Sequence, residues 1–119
     1  MNNQSSPEND EGQLAIDVLQ TVENIIVKAP IAGVRPEDLD ISITDETIAI
    51  KGERRNEHKV TDDDYLIQEC YWGAFSRSYT LPALVVADKA VATLKEGILT
   101  ITVPKDARSR TKSITVQAE

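Results

Sequence analysis

Apolar residues in this chain recur at every second position in short runs, and no helix-spaced apolar stripe of useful length interrupts them. The clearest run is Gly97-Ile98-Leu99-Thr100-Ile101-Thr102-Val103-Pro104-Lys105. Leu99, Ile101 and Val103 share one face and Thr100 and Thr102 the other. Lys95-Glu96-Gly97 turns the chain into this strand, and Pro104 closes it by removing a backbone donor. The same reading predicts a short strand over residues 14–18 and a more continuously apolar, central one over 21–29, with Val22, Ile25, Ile26 and Val27. Two prolines and Gly33 make residues 30–39 a connection, with one helical turn opened by Pro36. Leu39, Ile41 and Ile43 alternate with polar residues, Asp45-Glu46 is a tight turn, and Ile48 and Ile50 point inward from a strand over 47–51, which makes a hairpin. Residues 52–64 are polar, with Val60 their only strongly apolar member, and a loop of that length is usually functional or mobile. A possible strand over 65–71 carries Leu66, Ile67 and Cys70 and breaks at Trp72-Gly73. A better one over 74–81 has Phe75, Tyr79 and Leu81 in phase and ends at Pro82, and another is predicted over 90–94.

A chain of 119 residues supports one core without staples. Ile and Val dominate its 40% of apolar residues, with one Phe and one Trp, which favours sheet over helical bundle. Seven or eight short strands with turns between them predict an all-β, antiparallel Ig-like β-sandwich. The expected organisation is a disordered segment over 1–12, the sandwich over 13–105 and a flexible tail over 106–119. A lone cysteine, no signal peptide and no apolar run of membrane length make a cytoplasmic protein the default. The net charge of -7 argues against nucleic acid as a partner. The charge is uneven: the first twelve residues carry Glu8, Asp10 and Glu11, whereas 105–119 carry Lys105, Arg108, Arg110 and Lys112 against Asp106 and Glu119. A basic tail beside an acidic body can dock on its own or a neighbouring body, or serve solubility alone.

Catalysis finds little support. His58 stands alone in a charged loop. Asp62-Asp63-Asp64 lacks the ligand spacing and turn glycine of a calcium loop. Cys70 has Glu69 beside it and no histidine near in sequence. Neither a phosphate-cradling glycine loop nor zinc spacing is present, so no catalytic residue, cofactor or metal is proposed. Arg77 shares the parity of Phe75, Tyr79 and Leu81, which aims a cation toward the apolar side. It is either a snorkelling edge residue or an ion-pair or hydrogen-bond site where two subunits meet. Ile114-Thr115-Val116 sets two apolar residues two apart beyond a charged tether. It is a frayed end, a last strand, or a hook that fills a groove at a neighbour's sheet edge.

These residues together resemble the small heat-shock proteins, built on the α-crystallin domain, over roughly residues 13–105 and the tail hook. Four segments carry the resemblance: Gly33 to Leu39 with its hairpin, Gly73-Ala74-Phe75-Ser76-Arg77-Ser78-Tyr79-Thr80-Leu81-Pro82, residues 90–94, and the strand marked by Gly97, Leu99, Ile101, Val103, Pro104 and Lys105. The resemblance implies a β-sandwich chaperone that holds unfolding client proteins without ATP, and dimers that assemble further. Its long loop over 53–66, with the strand after it, looks like the bacterial and plant form, in which that segment crosses to the partner's sheet. Tyr65, Leu66, Ile67 and Arg77 are then dimer contacts. The hook Ile114 and Val116 is expected in a groove walled by Leu39, Ile41 and Ile43 and by Ala90 and Ala92, with the opposite-facing Val91 and Thr93 as the other choice. The family usually has a longer, apolar-containing segment ahead of the domain, and here Met1 is the sole clearly apolar residue of 1–12, so the chain reads as a minimal or shortened member. Two other readings stand beside this one. A CS-domain-type co-chaperone adaptor shares the sandwich but lacks the long loop and hook. A non-catalytic, sugar-binding sandwich would rely on Tyr71 and Trp72. Neither membrane nor nucleic acid is an expected partner.

Overall fold

The computed structural model describes residues 12–57, 60–109 and 113–119; the remainder of the N-terminal stretch read as disordered, and His58, lie outside them. Strands that alternate at period two hide their apolar faces by laying two sheets against each other. Eight strands follow along the chain: β1 (Gly12–Gln13), β2 (Asp17–Gln20), β3 (Asn24–Pro30), β4 (Leu39–Ile43), β5 (Thr47–Arg54), β6 (Gly73–Thr80), β7 (Val91–Lys95) and β8 (Ile98–Pro104). One sheet runs β1-β6-β5-β4 and the other β2-β3-β8-β7. Neighbours are antiparallel except β1, which lies parallel to β6 through Gly12 and Gln13. Helix among the described residues is confined to 3₁₀ turns at Pro36–Asp38, Asp62–Asp64, Ala87–Lys89 and Ala107–Ser109.

The core lies where β3 and β8 face β5 and β6. Cross-strand partners Ile25 and Val103, Val27 and Ile101, and Ala29 and Leu99 are all buried, as are Ile48, Ile50 and Phe75 opposite them. Leu14, Ile31, Val34, Leu81 and Val85 close the ends. The strand over 97–105 is thus central, and its three inward residues are at most 2% exposed. It is entered by a two-residue turn, Glu96 and Gly97, with φ of 53° and 79°. Primed hairpin turns require two positive φ values, and only glycine adopts the second without strain. The turn is tied to the neighbouring strand's exit by Ile31 N–H donating to the Gly97 carbonyl at 2.7 Å.

Several elements differ from the sequence expectation. The short strand expected over residues 14–18 runs over Asp17–Gln20, because Leu14 turns its side chain into the core instead of alternating along an edge. Thr21 belongs to the turn before β3, where its Oγ1 accepts the Asn24 N–H at 2.9 Å. The strand β5 runs past residue 51 to Arg54, since β6 pairs with it throughout. Residues 65–71 form no strand in this chain: after Asp62–Asp64 the backbone has no regular structure up to β6. Alternation alone makes no strand unless it pairs with an edge, and among the described residues no strand pairs with this segment. The tail also stays bonded to the body further than expected, through Ala107–Ser109.

Gly52 is the position where backbone approach is closest. A Cβ there would lie 2.6 Å from Phe75 Cζ and 3.0 Å from the Asp38 carbonyl oxygen. Because one of those neighbours is backbone, the site cannot relax by rotating a side chain. Gly52→Ala is therefore expected to destabilise the fold by about 1–3 kcal/mol, read as a lower denaturant midpoint at unchanged slope. A variant as stable as the parent would show that β5 and β6 separate freely at this point.

Candidate functional site

The strands β4 and β7 end their sheets on the same side of the sandwich, so the core is covered there only by side chains. Leu39, Ile41 and Ile43 share the face of β4 whose partners on β5 include the buried Ile48 and Ile50. On β7, Ala92 pairs with Ile101 and Leu94 with Leu99, which places both toward the inter-sheet space. Val91, of the opposite parity, is 61% exposed. Between the edges lies a groove of about 260 Å³ lined by Pro36, Leu39, Ile41, Ala92, Leu94 and Leu99. Every lining residue is apolar, and Ala92 is the one whose small side chain leaves the gap.

Of the wall residues named from sequence, Leu39, Ile41 and Ala92 line this groove, whereas Ile43 and Ala90 pack against the core. Ala90 also precedes β7 instead of opening it. Sequence reasoning missed Pro36, Leu94 and Leu99. The parity of Ala92 pointed to Leu94 as well. Leu99 reads only as core, because a residue that floors a groove and fills a core has one sequence signature. Ile114 and Val116 are 83% and 91% exposed and occupy no groove of their own chain.

A second set of apolar groups stands open in the long loop. Leu66 and Ile67 are 103% and 72% exposed, and Tyr71 and Trp72 are also exposed. Tyr65 is half-buried and its hydroxyl accepts the Asn56 Nδ2–H at 3.2 Å. The root of the loop is strapped to the Pro36–Asp38 turn. The Asp38 carboxylate, with its side chain 7% exposed, takes Arg55 Nη2 at 3.0 Å and Arg35 Nε at 3.4 Å. Arg35 Nη2 reaches Glu57 at 3.3 Å, and that acid, then Asp38, holds the guanidinium proton more firmly than usual. On the opposite side of the sandwich, β2 pairs with β3 along one edge and with no described strand along the other.

Arg77 lies on β6 opposite Ile50, with the core-facing parity, and is half-buried. Its Nη1 donates to the Leu14 carbonyl at 2.8 Å, which gives the guanidinium one partner within the chain and fastens the segment after β1. Cys70 is free and exposed. Among the described residues no group of three His, Cys, Asp or Glu side chains is placed to hold a metal, and no helix is long and apolar enough to cross a membrane.

The model of the Hsp20/alpha crystallin family matches residues 9–118. Spore protein SP21 of Stigmatella aurantiaca is 35% identical over 102 residues, covering 86% of this chain and 60% of that protein. Small heat shock protein C2 of Rickettsia felis is 32% identical over 101 residues, covering 85% and 66%. The chain thus spans under two thirds of the length of these curated relatives. Among solved structures, heat shock protein 16.0 from Schizosaccharomyces pombe superposes with a TM-score of 0.76 at 32% identity, over 91% of this chain and 100% of that one. A small heat-shock protein from Xylella fastidiosa, whose structure is described as a distinct high order structure, gives 0.71 at 27% identity over 88% and 96%. The sandwich is thus shared with known small heat-shock proteins, and the chain is a member of the Hsp20/alpha crystallin family.

Proposed function

We propose that this chain is an ATP-independent holdase that binds unfolding client proteins in the cytosol and delays their aggregation. The observation that carries the reading is an apolar edge groove beside an apolar Ile-x-Val segment that its own chain leaves exposed. Apolar surface gains about 25 cal/mol per Å² on leaving water, so groove and hook each favour a partner. An extended segment lying between β4 and β7 can also pair with either unpaired edge while its alternate side chains enter the groove. Hooks from other copies build assemblies, and apolar client segments compete for the same seat. The sandwich over 13–105 is the binding body, and the tail is the part that links bodies.

Dimerisation proceeds through the long loop. The exposed Leu66 and Ile67, with Tyr65, form the strand in trans that they do not form in cis, on the open edge of a partner's β2. Arg77 supports that contact by holding the segment that leads into β2. The acid and arginine set at Asp38, Arg35, Arg55 and Glu57 fixes where the loop leaves the body.

Three measurements test this. A stoichiometric excess of the protein is expected to suppress most of the heat-induced light scattering of an aggregating client without ATP; undiminished scattering rejects the holdase reading. Ala92→Phe, which fills the groove, is expected to weaken binding of a peptide carrying Ser-Ile-Thr-Val-Gln at least tenfold while the fold stays intact. Equal affinity places the hook elsewhere. Deletion of residues 57–64 is expected to convert dimer to monomer in native mass measurements, and a persisting dimer excludes exchange through this loop.

A further inference from the structure

The tail does not leave the sandwich at Pro104. Lys105 remains part of the body: its N–H donates to the Glu23 carbonyl at 2.8 Å, and it bridges Val85. Asp106 N–H then donates to the Leu84 carbonyl at 2.8 Å. The chain makes the 3₁₀ turn Ala107–Ser109, closed by Ser109 N–H on the Asp106 carbonyl at 2.8 Å. The Ser109 hydroxyl oxygen in return accepts the Leu84 N–H at 3.0 Å. Arg108 forks onto Asp106, Nε to Oδ1 at 2.9 Å and Nη2 to Oδ2 at 3.1 Å. It also borders a shallow hollow with Asp45 and Glu46 of the β4–β5 turn. The basic Arg108 is thus paired within the tail itself and faces the acidic β4–β5 turn across that hollow.

None of the residues Ala107–Ser109 is buried, so this segment can detach without opening the core. Its ion pair is exposed and weakened by salt. We infer that residues 106–109 are a releasable strap that sets the reach of the Ile114 and Val116 hook. The inference rests on the hook reading above and concerns its range. From Ser109 to Ile114 the chain takes five steps, which span at most about 18 Å whatever their conformation. Released as far as Lys105, it takes nine steps and spans up to about 32 Å. A short tether serves only a neighbour whose groove opens close to Ser109, and so selects few arrangements of subunits. The long tether reaches grooves at many relative positions. The strap therefore decides how uniform the assembly is.

The test compares the full chain with Arg108→Ala/Ser109→Ala, with Ser109→Thr, and with Ile114→Ala/Val116→Ala. Amide hydrogen exchange at Leu84 and Asp106 reads the strap without reference to assembly. Both amides are expected to be protected in the parent and in Ser109→Thr, which keeps the oxygen acceptor, and to exchange at least tenfold faster in the double alanine variant. Unprotected amides in the parent overturn the strap. Native mass reads its consequence: the strap variant is expected to spread over a wider range of assemblies, and the hook variant to shrink toward dimer. An unchanged spread in the strap variant, with the hook variant shrunken, overturns the strap's control of reach alone. An unchanged hook variant overturns the hook reading and the role of the strap with it.

Discussion

A sandwich of two open sheets hides its faces but not its sides. Each edge strand leaves a row of backbone donors and acceptors without a ladder partner, and a small domain has few side chains to lay over them. In this protein the four edges are β1 and β4 on one sheet and β2 and β7 on the other. The edges at β4 and β7 flank an apolar trough. The edge at β2 is bare among the described residues. The edge of β6 is capped by β1 over only two residues, with Arg77 and the Tyr71 hydroxyl fastening that cap. Unfinished edges would be a liability in a protein selected to stay monomeric. On the function proposed above, they are where copies of this chain and its clients associate.

Much of this was legible in the sequence because alternation is a local signal. Leu99, Ile101 and Val103 declare a face, and Glu96-Gly97 and Asp45-Glu46 declare the turns that set the pairing. What the sequence hid was of two kinds. An alternating segment that finds an edge cannot be told from one that does not, so residues 65–71 read as a strand and are none within this chain. Features built on backbone groups leave no side-chain pattern at all. The bond from Asp106 N–H to the Leu84 carbonyl, and the parallel seat of β1, were invisible for that reason. The groove falls between these cases. Two of its walls follow from parity, but Pro36 and Leu99 join it only because the β3–β4 connection and the central strand meet the same hollow.

Polar groups at the margins carry specificity instead of bulk stability. The Asp38 carboxylate is nearly buried and taken by two arginines, an arrangement in which desolvation offsets much of the attraction. What it fixes is direction: the loop leaves β5 toward the Pro36–Asp38 turn, whose first residue also lines the groove. Arg77 likewise stabilises less by its charge than by giving the Leu14 carbonyl a donor where the chain crosses from one sheet to the other.

The pairing of β3 with β8 also governs how the molecule comes into being. Ile25 meets Val103 and Val27 meets Ile101 across most of the length of the chain. Contacts between such distant positions close a long loop and form slowly compared with local hairpins such as β4–β5 and β7–β8. During synthesis β3 leaves the ribosome well before its partner β8. Until then Ile25, Val27 and Ala29 have no face to cover them. For that interval the nascent chain exposes the same kind of extended apolar segment that, on the function proposed above, the groove of its finished form receives.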